Sequence, residues 1–369
     1  MVGGLGLQDV YDATIERIKA QGGDKARLGI RALMWACHAE RPLSVGEFCH
    51  ALAIELDSTD FNAGNVPSIT TLVSCCQGLI TTDKEGSTVR LIHFTLREYL
   101  STHPDIFGRP HSALAEICLT YLNCPQVKVL STDGLDHPDA LFNNNPFLKY
   151  CSLYWGVHAK KDLSDCAMSL SLQLLREYDG HISAVLLAGQ VWSFPHDLQR
   201  GTLWTGLHCA SYFGIVQVVA TLIGMGCYDL NQGDWFGCTA LSLAAEMGHE
   251  EVAKFLLGQE GVEPDVQDNL GRTPLGYAAF KGHAGLVNIL LEREDVDPNK
   301  PMSNGQTPLS NAAWCGQEGV VKILLGREDI NPDMADHTGQ TPLGRATSNG
   351  HQSVVALLRS HKAVNNSVT

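Results

Sequence analysis

The chain has 369 residues, 44% hydrophobic and 18% charged, which excludes an intrinsically disordered protein and provides length for two or three domains. Forty Asp and Glu against 26 Lys and Arg give a net charge of −14, which argues against a general nucleic-acid or anionic-membrane binder. The twelve Cys form no Cys-x-x-Cys pair, so we interpret them as reduced thiols in an intracellular protein.

The first part of the sequence predicts helices followed by a β-hairpin. Apolar residues at helical spacing predict a linker helix within residues 1–23. A capping box at Ser44 and Glu47 opens a later helix. The predicted helices cover about 7–20, 24–40, a segment from Ser44 and 69–76, and the strands cover 79–82 and 88–93 around a turn at 83–86. Three helices and a hairpin predict a winged-helix domain over residues 24–103.

Residues 104–201 predict a helical connector rich in Leu, Tyr and Trp. Within it, Gly180-His181 and the apolar run that follows are in phase with the later repeats. The segment near 165–190 is therefore either part of the connector or a decayed repeat, although the rest of this window matches poorly.

The second half contains a repeat with a period of 34 residues. Each copy has a Thr that caps a short helix, an Ala on its apolar face and a Gly that ends it in a left-handed turn. A Val- and Leu-rich stripe predicts a second, antiparallel helix in each copy. The Thr column is Thr205, Thr239, Thr273, Thr307 and Thr341, and the Gly column is Gly214, Gly248, Gly282, Gly316 and Gly350.

These residues resemble the ankyrin repeat, most completely in Thr273–His283, which has the Thr-Pro-Leu-x-x-Ala-Ala-x-x-Gly-His pattern. The resemblance implies an ankyrin α-solenoid over residues 202–362, followed by a tail at 363–369. The predicted repeats cover about 202–231, 235–265, 269–299, 303–333 and 337–362. The fold class is therefore mainly α: a small winged-helix domain, a helical connector and a C-terminal ankyrin-repeat solenoid.

The first half is similar to the winged-helix and connector segment of fungal NACHT-ankyrin, NLR-like proteins. The similarity is carried by Arg31–Trp35, Arg90–Tyr99, Cys118–Leu122 and Tyr154–Ala159. Those relatives carry a P-loop NTPase upstream, whereas Gly-x4-Gly-Lys-Ser/Thr does not occur in this sequence. We therefore expect a member that lacks the nucleotide-binding module and binds no nucleotide.

Other kinds of site find little support in the sequence. The predicted recognition helix at 69–76 has no Lys or Arg, so direct nucleic-acid binding is not expected. No zinc-protease, zinc-deaminase or nucleophile-elbow motif is complete, so we expect no catalytic residues, metal or cofactor. No apolar segment approaches the roughly 20 residues of a membrane span, so no membrane partner is expected.

In ankyrin-like stacks the hairpin tips and the two residues before the repeat Gly face the concave binding side. The partner-binding residues predicted there are Tyr212, Phe213, Trp235, Phe236, Met247, Phe280, Lys281 and Trp314. The alternative is that these aromatic residues pack between adjacent tips.

We expect a non-enzymatic adaptor with a regulatory role that binds a protein partner, located in the cytoplasm or, alternatively, in the nucleus. A transcription co-regulator that acts through a DNA-binding partner is a second reading. An enzyme with a site in the connector is a third.

Overall fold

The structure, a computed structural model, describes residues 6–56, 61–83, 87–130, 138–192 and 203–368. The chain forms two compact units, residues 1–200 and 201–369. The fold is mainly α, with a winged-helix region in the first unit and a solenoid of helix pairs in the second.

The first unit contains helices and one three-stranded sheet among its described residues. Its helices are α1 Leu7–Ala20, α2 Gly23–His38, α3 Val45–Ala53, α4 Ile69–Cys75, α5 Phe94–Thr102, α6 Pro110–Asn123, α7 Pro125–Lys128, α8 Pro138–Asn144, α9 Leu148–Lys161, α10 Asp165–Leu175 and α11 Ile182–Trp192. Its strands are β1 Leu43–Ser44, β2 Ile80–Thr82 and β3 Thr88–Leu91.

The winged-helix region forms as the sequence predicts, with one additional strand. Ser44 caps α3 by accepting the Glu47 backbone N–H, and the Glu47 carboxylate accepts the Ser44 N–H in return, as a capping box requires. The two wing strands pair antiparallel, and β1 adds to the outer side of β3, with Leu43 opposite Val89. Residues 84–86 of the predicted turn lie outside the described residues.

The helix predicted as a linker is a packed part of the first unit. Ile15 and Ile18 of α1 are buried against α2. The Gln21 amide donates to the carbonyl of Cys75 (2.8 Å), and the Tyr99 hydroxyl donates to Asp12 (2.5 Å). Since these contacts tie α1 and the residue after it to the end of α4 and to the interior of α5, α1 belongs to the winged-helix core.

The connector packs against the winged-helix core through aromatic residues. Trp35 of α2 is fully buried and meets Phe147 and Tyr150 edge to face at 5.4 and 5.6 Å. Helices α6 and α9 form the most extensive helix contact of this unit, and α10 and α11 pack on them. Winged helix and connector therefore share one core, because the largest aromatic side chains lie between them.

The second unit consists of five helix pairs in two rows. The first helices are α12 Gly206–Phe213, α14 Ala240–Met247, α16 Pro274–Lys281, α18 Pro308–Trp314 and α20 Pro342–Ser348, and the second helices are α13 Val216–Gly224, α15 Glu250–Leu257, α17 Ala284–Leu291, α19 Glu318–Leu325 and α21 Gln352–Val368. The Thr caps are confirmed, as in Thr273, whose hydroxyl accepts the Gly276 N–H at 3.1 Å. The tail predicted at 363–369 continues α21 as helix to Val368.

A repeating hydrogen bond joins each first helix to the next repeat. His351 Nε2 donates to the carbonyl of Trp314 (3.0 Å), and His283 Nε2 does the same to Glu246 (3.0 Å). The ring of His351 lies against Gly316, where a Cβ would come within 2.5 Å of Nδ1. Gly316 is therefore required both by its positive φ of 71° and by the approach of the next repeat.

Comparison of two glycines tests this inter-repeat contact. Gly350 ends the last first helix with a similar φ of 75°, but a Cβ there would meet nothing within 4 Å. We expect Gly350→Ala to cost only the left-handed strain of roughly 1–2 kcal/mol. Gly316→Ala should cost about 1–3 kcal/mol more in chemical denaturation, because the methyl group displaces the His351 ring. Equal losses would show that the glycine serves the turn alone.

Candidate protein-interaction surface

Three of the hairpins between repeats are closed by a buried carboxylate, at Asp234, Asp268 and Asp336. The Asp268 carboxylate accepts the backbone N–H groups of Leu270 (2.9 Å) and Arg272 (2.7 Å), and Asp336 accepts those of Thr338 and Gln340 in the same way. An Asp at the start of a turn closes it by this local pairing. The hairpin tips therefore have a fixed backbone.

Adjacent tips are also joined to one another. The Asn269 N–H donates to the carbonyl of Phe236 (2.8 Å), and the Asn269 side-chain amide donates to that of Trp235 (3.0 Å). One repeat later, the Ser303 N–H donates to the carbonyl of Leu270 (2.9 Å). The carbonyls at the tips thus hold the stack together, while the side chains of Trp235 and Leu270 at the same positions are exposed.

Five large apolar side chains are exposed along the tips and the ends of the first helices. They are 39–55% exposed, and we call them the aromatic ridge. Two are on tips and three at helix ends: Trp235, Leu270, Met247, Phe280 and Trp314. Leu270 was not among the residues predicted from the sequence, although it lies 34 residues after Phe236 and occupies the same place in its hairpin.

The remaining predicted residues differ in their environment. Phe213 is only 4% exposed, which corrects its prediction as a partner-binding residue. Trp204 packs on Tyr212 (5.7 Å) and Tyr212 on Phe213 (5.3 Å), and the buried Trp204 and Phe213 rings belong to the interior of the first repeat. Tyr212 and Phe236 are half-buried at the margin of the ridge.

Charged groups lie beside the ridge. Lys281, one of the predicted partner-binding residues, forms an ion pair with Glu246 of the preceding repeat (3.2 Å). This ion pair partly neutralises the charge of the lysine. The guanidinium of Arg345 lies 5.1 Å from the centre of the Trp314 ring and packs against one face of that indole in a cation–π contact. Residues 201–369 contain ten Lys and Arg against eighteen Asp and Glu, a balance of −8.

Arg345 also forms a buried ion pair with Asp336 at the base of the last hairpin. Its Nε donates to Asp336 Oδ2 at 2.8 Å. Burial alone would raise the pKa of the Asp336 carboxyl, but the Thr338 hydroxyl and the Arg345 guanidinium outweigh it and hold the pKa below its usual value. The last hairpin therefore depends on an ionised carboxylate.

A stack with a hydrogen-bonded backbone and exposed apolar side chains is suited to binding another macromolecule. Binding costs less when the groups that make contact are already ordered. Large aromatic side chains of this kind dominate the energy of protein interfaces.

Comparison with known proteins agrees with both halves of the architecture. The sequence matches the family of ankyrin repeats in three copies, over residues 178–268, 254–336 and 297–369. Residues 15–107 match the family described as GPI inositol-deacylase, winged helix domain. No curated protein matches the chain significantly. Within the described residues, none of the helices has both the length and the apolarity needed to cross a bilayer.

The buried ion pair gives a prediction with a defined pH dependence. We expect Asp336→Asn to lower the free energy of unfolding at pH 7 by about 3 kcal/mol or more, because Arg345 loses its buried partner. Since folding lowers this pKa, the wild-type advantage is complete above pH ~4 and shrinks as the pH falls below the usual carboxyl value. Denaturant titrations of both proteins between pH 3 and pH 7 measure the difference. A difference that grows in acid would contradict this assignment.

Proposed function

The chain belongs to the ankyrin-repeat proteins, and on this premise we propose that it is a non-enzymatic adaptor with a regulatory role. It binds a protein partner through the aromatic ridge formed by the hairpin tips and the ends of the first helices. Tyr212, Phe236 and Lys281 border that contact. The ankyrin repeats support a role in protein–protein interaction. The assignment of that role to the aromatic ridge is our proposal.

The observation that carries this proposal is where the exposed apolar side chains lie. In the described part of the solenoid, the large hydrophobic residues with high exposure are the five of the ridge and Leu203, which precedes the first helix of the stack. The second helices contribute none among their described side chains. Exposed apolar area concentrated on one set of equivalent positions favours an interface over random surface variation.

The chemistry of the surface also favours one kind of partner. The ridge offers aromatic and aliphatic anchors within a unit whose charge balance is −8. A protein segment that combines apolar side chains with Lys or Arg would be attracted by this charge and would bury the anchors. A nucleic acid or an anionic lipid surface would be repelled.

A transcription co-regulator that acts through a DNA-binding partner is the alternative, and the winged-helix fold favours it. Helix α4, in the place of a recognition helix, carries no Lys or Arg, so contact with DNA would be made by the partner. We prefer the non-enzymatic role to a hydrolytic one because the match named after an enzyme covers only the winged-helix region. The third reading, an enzyme, would require a catalytic site in the helical connector.

We further propose kinship with the fungal NACHT-ankyrin, NLR-like proteins, based on the order of winged helix, helical connector and ankyrin repeats. On this view the protein acts in the cytoplasm, with the nucleus as the alternative location. We propose that the 369 residues of this sequence bind no nucleotide, since no P-loop motif occurs among them.

Matched pairs of substitutions test the ridge. Leu270→Ser combined with Phe280→Ser removes two ridge side chains, whereas Leu203→Ser combined with Phe255→Ser removes the same residue types elsewhere. Loss of an interface anchor typically costs ~2 kcal/mol, so the ridge variant should lose at least about tenfold in partner affinity. Quantitative affinity purification, with thermal melting of each protein, measures both effects. Capture that is lost equally in both variants, or retained in the ridge variant, would exclude this surface.

A further inference from the structure

A cluster of metal-ligating side chains lies in the first unit, apart from the ankyrin stack. Glu40 follows the end of α2, His111 lies in the first turn of α6, and His158 lies on α9. One donor atom of each lies within 4.8 Å of the other two. We propose that Glu40, His111 and His158 bind a divalent first-row transition-metal ion, for which zinc is the best candidate.

The distances suit such an ion. His111 Nδ1 and His158 Nδ1 lie 2.9 Å apart, and Glu40 Oε1 lies 3.7 Å from His158 Nδ1. Tetrahedral zinc with bonds of about 2.0–2.2 Å places neighbouring ligand atoms roughly 3.3 Å apart. These two distances differ from that value by only a few tenths of an ångström, and the donor atoms of Glu40 and His111 lie within 4.8 Å of each other.

The Glu40 carboxylate lies outside the hydrogen bonds that link the two histidines, and its Oε1 accepts from Lys161 Nζ at 2.5 Å. The Glu40 backbone N–H donates to the Tyr150 oxygen (3.0 Å), and the Tyr150 hydroxyl forms a hydrogen bond with His158 Nε2 (2.9 Å). His158 Nδ1 and His111 Nδ1 in turn share a hydrogen bond whose direction depends on the tautomers of the two rings. Glu40 Oε1 is too far from His158 Nδ1 to take part in this chain, but it is near enough to share an ion with both rings.

Tyr150 can support the ion-bound state as an outer-shell partner. When His158 Nδ1 binds the ion, the ring proton is on Nε2, and Nε2–H donates to the Tyr150 oxygen. Ligating histidines usually make such a second hydrogen bond, which holds the ring in place. His158 is fully buried, so its orientation is fixed before the ion arrives.

The cluster is open to solvent at Glu40, and the ammonium group of Lys161 lies there, where a metal ion would replace it. The Glu40 side chain is 22% exposed, and Lys161 Nζ lies 2.5 Å from its Oε1. The Lys161 ammonium thus provides the positive charge that a metal ion would provide in its place. The Lys161 side chain is 46% exposed, so it can move away when an ion binds.

Three protein ligands leave a fourth position for water or a further nitrogen. The His38 ring lies 5.4 Å from that of His111, and its Nε2 is buried without a hydrogen-bond partner among the described residues. A bound ion, or its water, would provide this nitrogen with a partner.

Metal titration of the full chain, purified without a histidine tag and treated with chelator, tests the proposal. Cobalt(II) absorption and zinc competition report coordination and affinity at pH 7.5. We expect one ion per chain in the wild type. His111→Gln and Glu40→Gln should each weaken binding at least about 100-fold, the upper end of the loss caused by removing an outer-shell partner. His337→Gln, an equivalent change on an exposed hairpin tip, should leave binding unchanged.

Lys161→Gln adds a test in the opposite direction. Removing the competing ammonium should tighten binding by about tenfold or more, because a positive charge next to a divalent ion is strongly unfavourable. Circular dichroism checks the folding of each variant, and Glu40→Gln decides the outcome if His111→Gln fails to fold. Absence of cobalt binding by the wild type would overturn the proposal. So would affinity that is unchanged in Glu40→Gln, or lowered equally in His337→Gln.

Discussion

The hydrogen bond from the side chain before each second helix to the carbonyl near the end of the preceding repeat's first helix is the interaction on which the solenoid depends. It requires a glycine at the helix end, because a Cβ at Gly316 would occupy the space of the His351 ring. Gln317 shows the same principle with a different side chain, since its amide donates to the carbonyl of Phe280 at 3.3 Å. Stability is thereby distributed along the stack, from one repeat to the next.

This constraint also explains why the ridge is available for binding. The residues whose carbonyls accept these bonds, such as Phe280 and Trp314, contribute backbone atoms to the stack and leave their side chains outside it. Trp235 and Leu270 do the same at the hairpin tips. Each anchor thus projects from a backbone that is already ordered. Binding therefore costs less conformational entropy in this chain than it would if the anchors were on a flexible loop.

The local features of this fold could be predicted from the sequence, whereas tertiary contacts could not. The 34-residue period, the Thr caps and the capping box at Ser44 each follow from short-range chemistry, and the structure confirms them. Strand β1 was missed because two residues carry no periodicity. The burial of Phe213 depends on the Tyr212 and Trp204 rings, and its equivalent Met247 is exposed, so the repeat pattern alone could not separate them. The cluster of Glu40, His111 and His158 was missed because three distant segments must fold together before it exists.

Photo-crosslinking gives the most direct test of the central claim that the partner contacts the aromatic ridge. A photoreactive phenylalanine analogue placed at position 280 replaces an exposed ridge residue, and the same analogue at position 255 replaces a half-buried Phe on a second helix. We expect a covalent product with the partner from position 280 and little or none from position 255. Products from position 255 alone would contradict it and place the interface on the second helices.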